Sequence, residues 1–165
     1  MTYIRDLSDV GPGDIAVAGG KAVGLGGLIR AGLPVPPGFV LTTAAYSEFV
    51  DANNLAAGIQ ELAALPPEAE PHAYQDASRR ISALFATGTM PAGIAAELGA
   101  AYGRLGNGTP VAVRSSATAE DLASASFRGA AGNHPERPRH GGTVHGSDRL
   151  LGLALDGARH VLPRA

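Results

Sequence analysis

The chain has no cysteine and no tryptophan, and aromatic residues make up only 5% of it. Without cysteine there is no disulfide framework and no thiolate metal site, and the redox compartment is left unconstrained. The scarcity of large aromatics leaves the chain poor in large core residues, so a tightly packed solitary domain does not follow from the composition. No excess of basic charge is present either: the formal net charge is −2, which removes any electrostatic case for nucleic acid or an anionic membrane surface as partner. No apolar run approaches the roughly 20 residues that a membrane-spanning helix requires, and the opening MTYIRDLSD lacks the basic start and apolar core of an export signal. Cytoplasm is the expected location.

What is abundant is glycine and proline, 23 and 12 in 165 residues, against 45% hydrophobic and 17% charged content. That length supports one domain with a real core, and the punctuation divides it into short elements. Tyr3 to Leu7 alternates as an edge strand does, and Val10 to Asp14 forms a turn on Gly11, Pro12 and Gly13. Phe39 to Leu41 is a strand, after which Thr42 or Thr43 caps a helix through about Asn53 with Tyr46, Phe49 and Val50 as its core stripe. A weaker helical piece covers Gly58 to Leu65. Pro66 to Pro71 is a loop, and His72 beside it reads as a solvated loop histidine. Helices follow at about Ala73 to Ala86, burying Ala77, Ile81, Leu84 and Phe85, and at Pro91 to Leu105, burying Ile94, Leu98, Ala101 and Tyr102. Strands interleaved with helices predict an α/β (α+β) lobe.

Two stretches carry chemistry. In Val111 to Phe127, VAVRSSATAEDLASASF, Pro110 suits the start of a buried strand. Val111 and Val113 face one way, while Ala112 and Arg114 face the other. Arg114 thus leaves the core at the strand end, followed by Ser115, Ser116 and Thr118. A planar guanidinium beside hydroxyl and backbone donors suits phosphate oxygens. The same residues also permit a purely structural arrangement, with Arg114 paired to Glu120 or Asp121 and Ser116 or Thr118 capping a short helix. The second stretch is Gly19, Gly20 and Lys21, entering a helix whose apolar face is Ala22, Val23, Leu25, Leu28 and Ile29, with Gly32 and Pro34 as stops. Glycines at a helix start let backbone N–H groups approach an anion that the helix dipole favours. It is not a Walker A loop, because Ala22 stands where Ser or Thr is required.

Together, GGKAVGLGGLIRAGLPVPPGFVLTTAAY and VAVRSSATAEDL followed by ASF resemble the N-terminal nucleotide-binding domain of the family of phosphoenolpyruvate synthase, pyruvate phosphate dikinase and rifampin phosphotransferase. The resemblance covers about Ile4 to Phe127. It implies the first lobe of an ATP-grasp-like domain, with Lys21 and Arg114 on the phosphates of ATP and weaker contributions from Gly19, Gly20, Ser115 and Ser116. Magnesium is the implied metal, with its ligands on a second lobe outside this chain, so that no catalytic and no metal-ligating residue is assigned here. The implied function is the ATP-binding part of a phosphotransferase, inactive as this fragment. The alternative is a non-catalytic nucleotide or phosphate module, or a partner subunit for a separate chain carrying the missing lobes.

After Phe127 the character changes. His134, His140, His145 and His160 lie among arginines with weak apolar periodicity, and their spacing fits no metal-ligand set. The family continues its motif approximately as FAGQQET, whereas this chain reads FRGAAGN. One inserted base after the Phe127 codon accounts for the difference, and the displaced frame further on yields tryptophan-containing, family-like sequence. The expected organisation is therefore residues 1–127 as the family domain and 128–165 as a frameshifted, disordered tail.

Overall fold

In the computed structural model, the described residues are 2–106, 108–114, 116 and the strand at 143–144. Strand β1 (Ile4–Asp6) pairs antiparallel with β2 (Phe39–Leu41), with Ile4 opposite Leu41 and Asp6 opposite Phe39. Two 3-10 turns, Leu7–Asp9 and Pro12–Asp14, lead from β1 into a short α1 (Ile15–Ala18) and then α2 (Gly20–Arg30). Gly32, at φ +75°, ends α2 in the left-handed conformation that glycine adopts without a Cβ penalty. The chain returns through a proline-rich segment to β2.

Four helices follow: α3 (Thr43–Ala52), α4 (Ala56–Ala63), α5 (Pro71–Thr87) and α6 (Ala92–Arg104). Strand β3 (Val111–Ala112) then pairs antiparallel with β4 (Thr143–Val144), so two residues of the tail join the fold. The rest of the segment from Ala117 onward, including Thr118, Glu120 and Asp121, lies outside the described residues. Among the described residues no single helix is long and apolar enough to cross a membrane.

The main core lies between α3, α4, α5 and α6, where Ala45, Phe49, Val50, Leu55, Ile59, Ile81, Phe85 and Ile94 are buried. Phe49 stacks on Phe85 with ring centroids 5.6 Å apart, and Tyr46 covers the other partner's flank at 5.9 Å. Each such side chain, fully buried, contributes about 1.5–3 kcal/mol. Asn53 holds the α5–α6 connection against α3: its Nδ2 donates to the carbonyls of Phe49 and Thr89, and its Oδ1 accepts from the Thr89 N–H at 2.7 Å. The four expected core positions of α6, Ile94, Leu98, Ala101 and Tyr102, are all buried. Leu98 and Ala101 pack on Ile4, and Tyr102 on Phe39, Val111 and Val113. Glu97 on the same helix accepts the Tyr3 and Ile4 N–H groups at 2.9 and 3.2 Å, which ties the start of β1 to α6.

Three expectations need correction. His72 stands in the first turn of α5, not in a loop, although it is exposed as expected. The buried residues of α2 are Ala22 and Gly26, while Leu28 is 44% exposed. A Cβ on Gly26 would lie 2.2 Å from the Val10 carbonyl oxygen. The helix therefore packs by backbone proximity to the 7–10 turn, an approach for which larger side chains leave no room. Finally, β3 alternates as expected, with Ala112 and Arg114 exposed, but Val111 and Val113 are only half-buried where a buried strand is expected.

Candidate functional site

The site is built where α1 hands over to α2. Asp14 fixes the approach: its carboxylate accepts the Gly11 N–H at 2.7 Å and pairs with Arg5 at 2.5 Å. The Gly11 N–H first, and the Arg5 guanidinium second, hold the Asp14 carboxyl below its ordinary value. Thr43 at the start of α3 donates its hydroxyl to the Ala16 carbonyl at 3.1 Å, tying α1 to the helical layer. Beneath the corner, Val10, Ala18, Ala22 and Val40 form a small separate core.

Gly19 is the corner itself. Its N–H closes α1 onto the Ile15 carbonyl at 2.9 Å, and its own carbonyl accepts the Val23 N–H to begin α2. It does both at φ +78°, ψ 163°, a region essentially restricted to glycine. As a glycine it has no side chain to cap the helix that follows, so the early N–H groups of α2 need partners from elsewhere.

One such partner comes from nearly a hundred residues away. The Ser116 hydroxyl donates to the Ala18 carbonyl at 2.9 Å and accepts the Ala22 N–H at 3.4 Å, spanning the corner from the last residue of α1 to the third of α2. The contact is close enough that a Cβ on Gly19 would sit 2.4 Å from the Ser116 Oγ and 2.8 Å from its carbonyl oxygen. Arg114 is two residues before Ser116, hence within about 7 Å of it along the chain, and Lys21 immediately precedes Ala22. The structure thus brings the two sequence stretches to one place. Lys21 and Arg114 are both exposed there.

Lys21 stands in the first turn of the eleven-residue α2, the end of a helix at which an anion is favoured, and Arg114 follows β3 two residues before Ser116. Of the expected site residues, Gly19, Gly20, Lys21, Arg114 and Ser116 share this corner, and Ser115 lies outside the described residues. Sequence reasoning treated Gly19 and Ser116 as members of separate motifs. The signal it lacked was their mutual contact, which no local pattern encodes. Among the described residues, no group of three or more His, Cys, Asp or Glu side chains is gathered as a metal ion would require.

Comparison with known proteins identifies a family that spans both stretches. A family model described as the pyruvate phosphate dikinase AMP/ATP-binding domain matches residues 15–132, which takes in Gly19, Gly20, Lys21, Arg114 and both serines. A protein of Methanocaldococcus jannaschii named as a probable phosphoenolpyruvate synthase is 39% identical over 134 residues, covering 78% of this chain and 11% of the relative. The phosphoenolpyruvate synthase of Aeropyrum pernix is 41% identical over 129 residues, 74% of this chain and 16% of the relative. The rifampicin phosphotransferase of Streptomyces sviceus is 40% identical over 129 residues, 77% of this chain and 15% of the relative. The chain spans less than a fifth of the length of each of these three relatives.

Proposed function

The chain belongs to the family of the pyruvate phosphate dikinase AMP/ATP-binding domain, and from that membership we propose that it forms the first, ATP-grasp-like lobe of a phosphotransferase of the phosphoenolpyruvate synthase type. In this reading Lys21 and Arg114 hold the phosphates of ATP, Gly19 and Gly20 let the backbone approach them, and Ser115 and Ser116 contribute more weakly. The observation that carries it is the corner at Gly19, where Ser116 joins the lysine-bearing helix to the arginine-bearing strand.

Phosphoryl transfer depends on positioning and on neutralising charge, usually with magnesium between phosphate oxygens. Lys21 and Arg114 supply part of that neutralisation. In this reading the ligands of magnesium belong to the second lobe that the family resemblance implies. The 165 residues by themselves are therefore read as binding ATP without transferring its phosphate, and the acceptor is left to regions beyond this lobe.

Titration of the chain with ATP tests the reading. Hydrogen bonds to charged groups contribute about 1.5–3 kcal/mol, so Lys21→Ala and Arg114→Ala are each expected to weaken binding by about tenfold to about a hundredfold. Absence of saturable binding at millimolar ATP would refute it.

Residues 128–165 are read as out of frame, a view supported by the end of the family match at residue 132. A specific observation favours the competing view, a stand-alone nucleotide-binding module with a genuine tail: Thr143 and Val144 pair with β3, the strand that leads to Arg114. Resequencing the source DNA past the Phe127 codon decides between them. Removal of one base restores an open family-like frame in the first case and not in the second.

A further inference from the structure

The Ser116 hydroxyl is committed before any ligand arrives. A serine hydroxyl has one proton to donate and two lone pairs with which to accept. The proton goes to the Ala18 carbonyl at 2.9 Å, and one lone pair takes the Ala22 N–H at 3.4 Å. What is left to the oxygen is a lone pair. Phosphate oxygens are acceptors as well, so an approaching phosphate gains nothing from this oxygen unless the Ala18 bond is first given up.

We propose that Ser116 is a positioning residue: its hydroxyl latches the start of α2 to the strand end that carries Arg114, so that Lys21 and Arg114 are held at a fixed spacing for one polyphosphate. The inference rests on the proposed ATP-binding reading and gives Ser116 a different part in it from that of a ligand. Gly19 is the other half of the latch. Any side chain there would enter the space of Ser116, its Cβ falling 2.4 Å from Oγ, and would separate the two cations at their root. The neighbouring corner is already fixed from the opposite side by the Thr43 hydroxyl on Ala16. Ser116 therefore ties both the last residue of α1 and the start of α2 to the segment that follows Arg114.

The test uses the whole chain with Ser116→Ala, which deletes the hydroxyl, and Ser116→Thr, which keeps one. Amide hydrogen exchange reads the latch directly. In Ser116→Ala the Ala22 amide is expected to exchange about twofold to about fivefold faster, as loss of one long hydrogen bond at the low end of the usual strength implies, while Val23, bonded to the Gly19 carbonyl, changes little. Ser116→Thr is expected to restore the protection of Ala22. Titration with ATP then reads the consequence: Ser116→Ala weakens binding by a similar factor, and this loss largely disappears when Lys21 or Arg114 is already alanine, because there is no longer a spacing to preserve.

Full multiplication of the losses in the double variants would identify Ser116 as an independent phosphate ligand and overturn the proposal. Unchanged exchange at Ala22 would overturn it as well, whatever the binding result. Should the unmodified chain bind no ATP, the phosphate-binding reading fails, and the exchange measurement still decides whether the latch exists.

Discussion

Replacing Gly19 with alanine tests the geometry of the corner more severely than any charge deletion. At φ +78°, ψ 163° a residue with a Cβ bears a backbone cost of about 1–3 kcal/mol. The added carbon would also lie 2.4, 2.8 and 2.9 Å from Ser116 Oγ, O and C, where ordinary contact begins at 3.4 Å. Two of those three atoms are backbone, so no rotamer change relieves the overlap. Overpacking of that kind costs about 1–3 kcal/mol. The sum, about 2–6 kcal/mol, is a large part of the roughly 5–15 kcal/mol that holds a domain folded. Gly24 supplies the control within the same helix: a Cβ there meets nothing within 4 Å, and alanine at such a helical position stabilises by about 0.5–1 kcal/mol. In urea unfolding followed by far-ultraviolet circular dichroism, a loss of about 3 kcal/mol with a slope near 2 kcal/mol/M lowers the midpoint by about 1.5 M. Gly24→Ala should raise it slightly. A Gly19→Ala midpoint indistinguishable from the parent would show that α2 and the Ser116 segment do not meet as described.

Two further substitutions probe the scaffold. Phe49 is 1% exposed and stacks on Phe85, so Phe49→Ala should destabilise by about 3–5 kcal/mol through lost burial and the cavity left behind; a change under about 1 kcal/mol in the same urea assay would contradict the position of the core. Asp14 makes the acid limb specific. Its carboxyl is held below the ordinary value of 3.8 by Gly11 and Arg5, so its contribution is complete above that value and disappears as pH falls through the lowered one. Urea midpoints measured from pH 5 to pH 2 should fall less steeply in Asp14→Asn, and identical slopes would show that the Gly11 and Arg5 contacts carry no linkage.

How much of this was legible in the sequence depended on whether the signal was local. Strand β2 has the bounds read from the Phe39–Leu41 run, and α6 buries the four residues its periodicity named, because apolar spacing reports directly which face of an element meets the core. The same rule misread α2. Its buried positions are Ala22 and Gly26, and a glycine packed against the Val10 carbonyl contributes close approach with no hydrophobic signal at all. Leu28, which the pattern placed inward, faces solvent instead.

The candidate site shows the same division, and it explains why the charged candidates could be nominated from sequence and the arrangement around them could not. Lys21 and Arg114 were readable because cations beside glycines and hydroxyls are the groups that polyanions require. What sets their relative position is neutral: a glycine at positive φ, a serine hydroxyl, an alanine carbonyl and an alanine N–H, joined across 94 and 98 residues of chain. None of these has a local signature, since a serine after an arginine suits a helix cap equally well, and a glycine pair does not reveal which member must lack a Cβ. The structure answers both points with one contact. Ser116 caps a helix, as its residue type allows, but the helix is α2, which its own N-terminal glycine leaves without a side-chain cap. A requirement for glycine at position 19 and for a hydroxyl at position 116 is thus a single constraint, and substitutions at the two sites should be non-additive for stability and for nucleotide binding alike.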